Sequence, residues 1–392
     1  MTETKRLPTG MTRVHPDSGL VQFRIAAPVS RRQFNAGLAG ATAMAAALGF
    51  RPDPAQAATD VRYNGWQGLD AGIDAGGWLE KNGITFQSTY ISSNEEIMAA
   101  AMAGGIGQMD IVTPDGYFLP AYHAGNILQP LDLGRIPNFE HVFQQFKDSP
   151  GIVKDGTYYA LPNYWGSCPL MWNADLVAET PTSWNDLMKP EYQGKTAIVE
   201  DVIAAVMSFA MAVTGRSDTY NLTQEELDAT IDLLIKYKTE QALTIAPSWG
   251  DLAALFANEE IVIAIGWEPA SVWSGADAKN IVWDVPQEGA INFVGCFGMV
   301  RDAPNEDLDY LILNQSLSPE AQAANATEAF GVVTANAVPT LTPEQQALYP
   351  YDNIESYFEE CGGATLLFPI ESDGSQVTYD QVLDGWERFQ RA

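Results

Sequence analysis

Histidine, cysteine and positive charge are scarce in this chain, and long apolar runs are missing. Its 392 residues hold three histidines, three cysteines and 21 lysines and arginines against 50 acidic residues, for a net charge of −29. So acidic a surface repels phosphate backbones and anionic lipid headgroups, which argues against nucleic acid and membrane surfaces as partners and favours attracting cations or living in a salty milieu. Cys168, Cys296 and Cys361 are too scattered to form a disulfide framework and allow at most one bridge. Beyond residue 57 only His123 and His141 remain, both in helix-like contexts. No His-Glu-x-x-His, Gly-x-Ser-x-Gly or phosphate-loop spacing occurs, so no enzyme, cofactor or metal site is expected. The glycines at 104, 105 and 107 read as a helix terminator.

What is present begins with an export signal. Ser30-Arg31-Arg32-Gln33-Phe34 precedes a weakly apolar Ala- and Gly-rich run over 36–50, which ends near Ala55-Gln56-Ala57. Paired arginines, a small-residue run and an Ala-x-Ala end describe a twin-arginine signal over 1–57, cleaved after Ala57. The run is too short to span a bilayer. The mature protein is expected in the periplasm, without membrane insertion, and losing seven basic and three acidic residues takes its charge from −29 to −33.

From Val61 the pattern alternates strand and helix, which implies parallel pairing and an α/β fold. Strand-like stretches cover 61–64, 84–91 and 109–113, separated by helical segments that end near Asn82-Gly83 and at Met102. The third strand opens into Pro114-Asp115-Gly116-Tyr117-Phe118, the kind of strand-end loop where open α/β sheets place ligands. Short helices follow over 117–124 and 138–146, then an aromatic extended stretch over 158–167. Ser183 and Asp186 start a short helix. A second series runs through a strand at 196–199, an apolar helix at 202–213, a Thr223-x-x-Glu226 capping box and a helix at 251–258. Its last strand, 261–266, ends in Trp267-Glu268-Pro269, a polar and aromatic turn like the one at Asp115.

Aromatic residues recur at these strand ends and breaks: Trp66, Tyr117, Trp165, Trp249, Trp267 and Phe293. Ring faces attract cations where water is excluded, and a nearby carboxylate fixes charge and orientation. Asp115, Asp201, Asp251 and Glu268 are the candidate carboxylates. For each aromatic residue, burial in a core is the competing reading. Trp267 and Tyr117 stand out because each directly follows a buried strand.

Tyr63-Asn64, Asp110-Ile111-Val112-Thr113-Pro114, Pro162 to Gly166 and above all Thr182-Ser183-Trp184-Asn185-Asp186-Leu187 resemble the periplasmic solute-binding proteins of ABC importers, nearest the spermidine/putrescine-binding branch. The resemblance implies an α/β fold of the two-lobed type II binding-protein class, each lobe a mainly parallel sheet flanked by helices, with two crossing hinge segments. It maps lobe one to 58–166 and 295–336, and lobe two to 167–294 and 337–392. It further implies a monomer that closes on a small organic solute and docks on an inner-membrane permease.

Carried over residue by residue, the resemblance implies that Tyr117, Trp267, Phe293 and Asp201 contact the ligand. Two clamping carboxylates of that branch are replaced by Ala204 and Gly295, and a tyrosine by Val332. Asp115 and Glu268 could restore the charge, or the ligand could carry one cationic centre. The expected ligand is a small cationic, polyamine-like amine held by Trp66, Asp115, Tyr117, Trp165, Asp201, Trp249, Trp267, Glu268 and Phe293. Alternatives are a mixed-charge metabolite such as a quaternary ammonium zwitterion or an amino-acid conjugate, a secreted enzyme on the same fold, or a surface adhesin. The resemblance also puts Cys168 and Cys296 near the crossings, where they could pair or stay as two buried thiols.

Overall fold

The computed structural model describes residues 11–13, 21–23 and 59–392, apart from 67, 92, 150 and 274–279. The twin-arginine signal and its cleavage point lie outside the described residues, except for an antiparallel pair, Met11–Arg13 with Val21–Phe23.

Two large sheets carry most of the rest, with a small antiparallel pair, Val153–Lys154 with Thr157–Tyr158, beside them. The first is built from β1 (Thr59–Gly65), β2 (Ile84–Tyr90), β3 (Ile111–Val112), β4 (Ala160–Cys168), β10 (Ile291–Met299) and β11 (Gly331–Val332), in the order β11-β4-β10-β3-β1-β2. The second holds β5 (Leu170–Asn173), β6 (Thr196–Val199), β7 (Thr244–Ala246), β8 (Ile263–Ile265) and β9 (Ile281–Asp284), in the order β7-β6-β8-β5-β9. Strands joined through helices pair in parallel, as the alternating pattern predicts: β1 with β2 and β3, and β6 with β7 and β8. The expectation of mainly parallel sheets needs correction. β10 runs antiparallel to β3 and β4, β11 antiparallel to β4, and β5 antiparallel to β8 and β9, so both sheets are mixed. The reason is connectivity: β4 passes straight into β5 through Pro169, and β9 into β10 through 285–290, and each receiving strand, β5 and β10, runs against the helix-connected strands of the sheet it enters.

Local chemistry accounts for most elements. In β1 the buried positions are Val61, Tyr63 and Gly65, a period of two. All nine residues of β4 and of β10 are buried, the polar Asn163, Ser167 and Asn292 included. Helix α1 (Asn94–Ala100) runs into a π-turn that breaks at Gly104, whose φ is 109°. Helix α2 (Val202–Thr214) starts on the Asp201 side-chain cap and stops at Gly215, in the left-handed region with φ 68°. Helix α3 (Gln224–Lys236) opens on the expected Thr223–Glu226 capping box. The strand expected over 109–113 shrinks to two residues. Asp110 turns its carboxylate to the Arg62 N–H (2.8 Å) and the Asn305 N–H (3.1 Å), and Pro114 has no N–H for a ladder.

Further helices include α4 (Trp249–Ala257), α5 (Pro269–Trp273), α6 (Glu306–Ser316), α7 (Ile354–Cys361) and α8 (Tyr379–Arg391). Helix α8 buries Tyr379, Val382, Trp386 and Phe389, spaced three and four apart, and packs this stripe on α3. Arg388 reaches Asp232 at 3.0 Å across that contact. The C-terminal helix therefore returns to the second sheet. Cys168, Cys296 and Cys361 are all free and buried, so the pairing considered for the first two is not formed.

One buried group gives the fold a pH dependence. Asp309 on α6 is fully buried, and neither of its carboxylate oxygens has a hydrogen-bond partner among the described residues. Burial first, then the charges of Asp110 and Glu306, push its carboxyl up to about 8. The folded protein thus keeps this proton where the unfolded chain has lost it, so the contribution of Asp309 to stability is fullest below the ordinary carboxylate range and is lost from roughly pH 4 to pH 8. Asp309→Asn is expected to raise the Tm at pH 8 by several degrees and to change it little at pH 4. A variant that tracks the parent at both pH values would show that Asp309 ionises freely.

Candidate functional site

The loop after β3 holds the first carboxylate. The Asp115 N–H donates to Asn94 Oδ1 (2.9 Å), and Asp115 forms an isolated antiparallel bridge with Gly295 of β10. Its Oδ2 accepts from Asn94 Nδ2 (2.8 Å) and Tyr117 Oη (3.2 Å), so the carboxylate is fixed by α1 on one side and by its own loop on the other. Asp115 and Tyr117 are each only 8% exposed.

The second carboxylate comes from the other sheet. Asp201 caps α2, accepting from the Ala204 N–H at 3.0 Å, while its other oxygen accepts from Trp267 Nε1 at 3.3 Å. Ala204 supplies a backbone donor to Asp201 at a position where the resemblance expects a clamping carboxylate. From Trp267 a row of tilted and edge-on rings runs across the molecule. Trp249 lies 5.9 Å from Trp267, Phe293 5.0 Å beyond it, Tyr164 5.8 Å from Phe293, and Phe330 4.9 Å from Tyr164.

Negative charge concentrates here. Burial, opposed by the bonds from Asn94 and Tyr117 and reinforced by Asp201 and Glu95, pushes the Asp115 carboxyl up to about 6. Burial also raises the Asp201 carboxyl, with Glu95 adding to the shift against the donors from Ala204 and Trp267. Among the described residues no lysine, arginine or histidine forms an ion pair with Glu95, Asp115 or Asp201. The three acids therefore share one neighbourhood without a protein cation. Two contacts close its rim: Tyr379 Oη on α8 donates to the Glu95 carboxylate, and its ring lies 5.9 Å from Phe118. Separately, Trp273 Nε1 of α5 donates to Glu328.

The structure brings together Asp115, Tyr117, Asp201, Trp249, Trp267 and Phe293. Trp66 sits beside them at the end of β1: its N–H donates to Thr113 Oγ1 (3.0 Å), and its own Nε1 is buried without a partner among the described residues. Glu268 is placed differently. Fully buried, it accepts from Ser167 N (2.5 Å) and Ser167 Oγ (2.7 Å), and burial pushes its carboxyl up to about 8. At neutral pH it is mostly protonated, so it does not replace a missing charged clamp.

Trp165 falls on the other face of β4 from Tyr164. It packs on Tyr349 (4.6 Å) and Phe358 (5.6 Å), and its Nε1 donates to the Val332 carbonyl (2.9 Å). Strand alternation separates it from the ring row by one residue. Asp251 is exposed and bonded to Ser248, which caps α4. Tyr164, Phe330 and Glu95 belong to the neighbourhood but were not marked in the sequence. No sequence signal marks Tyr164, because all nine residues of its strand are buried.

Comparison with known proteins bears on most of the chain. A family model described as bacterial extracellular solute-binding protein matches residues 79–348. The putrescine-binding periplasmic protein PotF of Escherichia coli is 27% identical over 317 residues, covering 74% of this chain and 82% of that protein. The putrescine/agmatine-binding protein of Pseudomonas aeruginosa is 21% identical over 68% of this chain and 76% of its own. The solved spermidine/putrescine ABC transporter substrate-binding protein PotD of Streptococcus pneumoniae superposes with a TM-score of 0.68 at 18% identity, covering 85% of this chain and 99% of that one. The binding protein MotA of A. tumefaciens, solved with glucopine, gives 0.66 at 18% identity over 85% of this chain and 100% of its own. With the mixed two-sheet architecture of the type II binding-protein fold, these matches show that the chain belongs to the bacterial extracellular solute-binding proteins, the extracytoplasmic solute-capturing components of ABC importers.

Proposed function

We propose that this protein captures a small organic amine cation between its two sheets and delivers it to an inner-membrane permease. The observation that carries the reading is the unneutralised acidic group formed by Glu95, Asp115 and Asp201 beside the rings of Tyr117 and Trp267. Buried like charges are costly, and an ammonium placed among them removes that cost while gaining ring-face attraction. The relatives named for putrescine and agmatine point to the same ligand class. A ligand carboxylate would meet these acids with no basic side chain to receive it, so a mixed-charge ligand fits less well. The lobes are 58–166 with 295–336, and 167–294 with 337–392, closing by hinge motion on the bound solute. The protein acts as a monomer in the periplasm, after export by the twin-arginine route with its first 57 residues removed.

Thermal unfolding of 58–392 against putrescine, spermidine, agmatine, choline, glycine betaine, amino acids and sugars tests this. A ligand at a hundredfold its Kd adds roughly 2.7 kcal/mol to stability, and at least one amine should do so. Shifts confined to sugars or acidic amino acids would overturn the reading. Affinity should also depend on pH. A cation binds the ionised Asp115, so its Kd is expected to be flat above about pH 6 and to weaken by roughly tenfold per pH unit below it. Isothermal titration between pH 5 and pH 8 reads this directly.

A further inference from the structure

Gly295 lies between two side chains on neighbouring strands. It bridges Asp115 on one side and pairs with Tyr164 of β4 on the other. The Tyr164 ring covers it so closely that a Cβ on Gly295 would fall 1.9 Å from Tyr164 Cζ and 2.3 Å from both Cε atoms. Phe293 and Phe330 hold that ring at 5.8 and 4.9 Å. The Tyr164 hydroxyl, in a residue only 2% exposed, has no hydrogen-bond partner among the described residues. Burial and then the Asp115 charge raise its phenol well above the ordinary value, so it keeps its proton. A buried O–H without an acceptor is costly, and such groups are normally satisfied.

We propose that Tyr164 is a specificity-determining residue: its hydroxyl donates to an uncharged acceptor of the ligand, next to the single ammonium held by Asp115 and Asp201. The inference rests on the amine reading above and narrows it. The aromatic side of the site offers no ionised acid, because Gly295 has no side chain and the Glu268 carboxyl is protonated there. A second ammonium would have no carboxylate to meet and would face a phenol that already carries its proton. An amino alcohol or a similar amine with a neutral oxygen satisfies both groups. A plain alkylamine leaves the hydroxyl orphaned, and a diamine leaves a charge unpaired.

The test uses the 58–392 protein and Tyr164→Phe, titrated calorimetrically with matched sets of alkylamine, amino alcohol and diamine of two to four carbons. The parent should bind at least one amino alcohol about tenfold more tightly than its matched alkylamine and diamine, and Tyr164→Phe should erase that preference. Without ligand, the variant should melt at or above the parent's temperature, since it removes an unpartnered polar atom. A preference that survives in Tyr164→Phe, matched sets that do not differ, or tightest binding of a diamine overturns the role of Tyr164. Heat from a diamine alone would leave the amine reading standing, whereas no binding by any amine overturns that reading too.

Discussion

Asp115→Asn is expected to weaken amine binding by about a hundredfold, and adding Trp267→Ala to bring it below detection. The Asp115 carboxylate is only 8% exposed and is fixed by Asn94 and Tyr117, so it meets a ligand ammonium with little reorganisation. Removing one partner of such a buried charge pair costs about 2–5 kcal/mol in binding. Asparagine keeps the shape and removes the charge, which isolates that term. Trp267 adds its ring face, worth about 2 kcal/mol where water is excluded, and its Nε1–H holds Asp201 in place at 3.3 Å. The unliganded variants discriminate binding from folding. Asp115→Asn removes a like charge facing Asp201 and Glu95, so its apo Tm should not fall. A single variant whose Kd stays within twofold of the parent, at pH 7.5 where Asp115 is ionised, would remove Asp115 from the site.

Much of this architecture is readable from local signals, and what is not readable depends on pairs of distant residues. The capping box at Thr223 and Glu226, the stop at Gly215 and the turn at Asp115 are short-range chemistry, and each element begins or ends where those residues direct it. The apolar strand ends that carry Asp115 and Trp267 were visible for the same reason. The parallel pairs joined through helices were visible, but the antiparallel ones were not, because the all-buried stretches of β4 and β10 read alike in parallel and antiparallel sheets. Trp165 and Tyr164 lie on opposite faces of a strand whose nine residues are all buried. Without a polar alternation, no pattern shows which face a side chain takes. Glu268 was legible as a carboxylate at a strand end. Its neutral state was not, because that follows from burial against Ser167, 101 residues away in the chain. The charge of a site depends on its surroundings, which sequence position alone does not supply.

Gly295→Ala is expected to destabilise the unliganded protein by about 3 kcal/mol, a large loss for one methyl group. Its Cβ would lie 1.9 Å from Tyr164 Cζ, far inside contact distance. The ring cannot swing away freely, since Phe293 and Phe330 pack against it and its strand is paired on both sides by β10 and β11. Overpacking of this kind costs about 1–3 kcal/mol where neighbours can shift and more where they cannot. The φ of Gly295 lies outside the left-handed region, so the loss would come from the clash and not from backbone strain. A double-mutant cycle separates the two. Tyr164→Ala alone should cost about 3–5 kcal/mol through its cavity, yet adding Gly295→Ala to it should cost close to nothing. The coupling between the two positions is then about 3 kcal/mol, measurable by urea unfolding. Additive losses would mean that the ring does not cover Gly295. Strong coupling would mean that the two residues form one unit, in which the absent side chain at 295 lets the phenol reach the acidic side of the site. A carboxylate could then be installed at 295 only together with a small residue at 164.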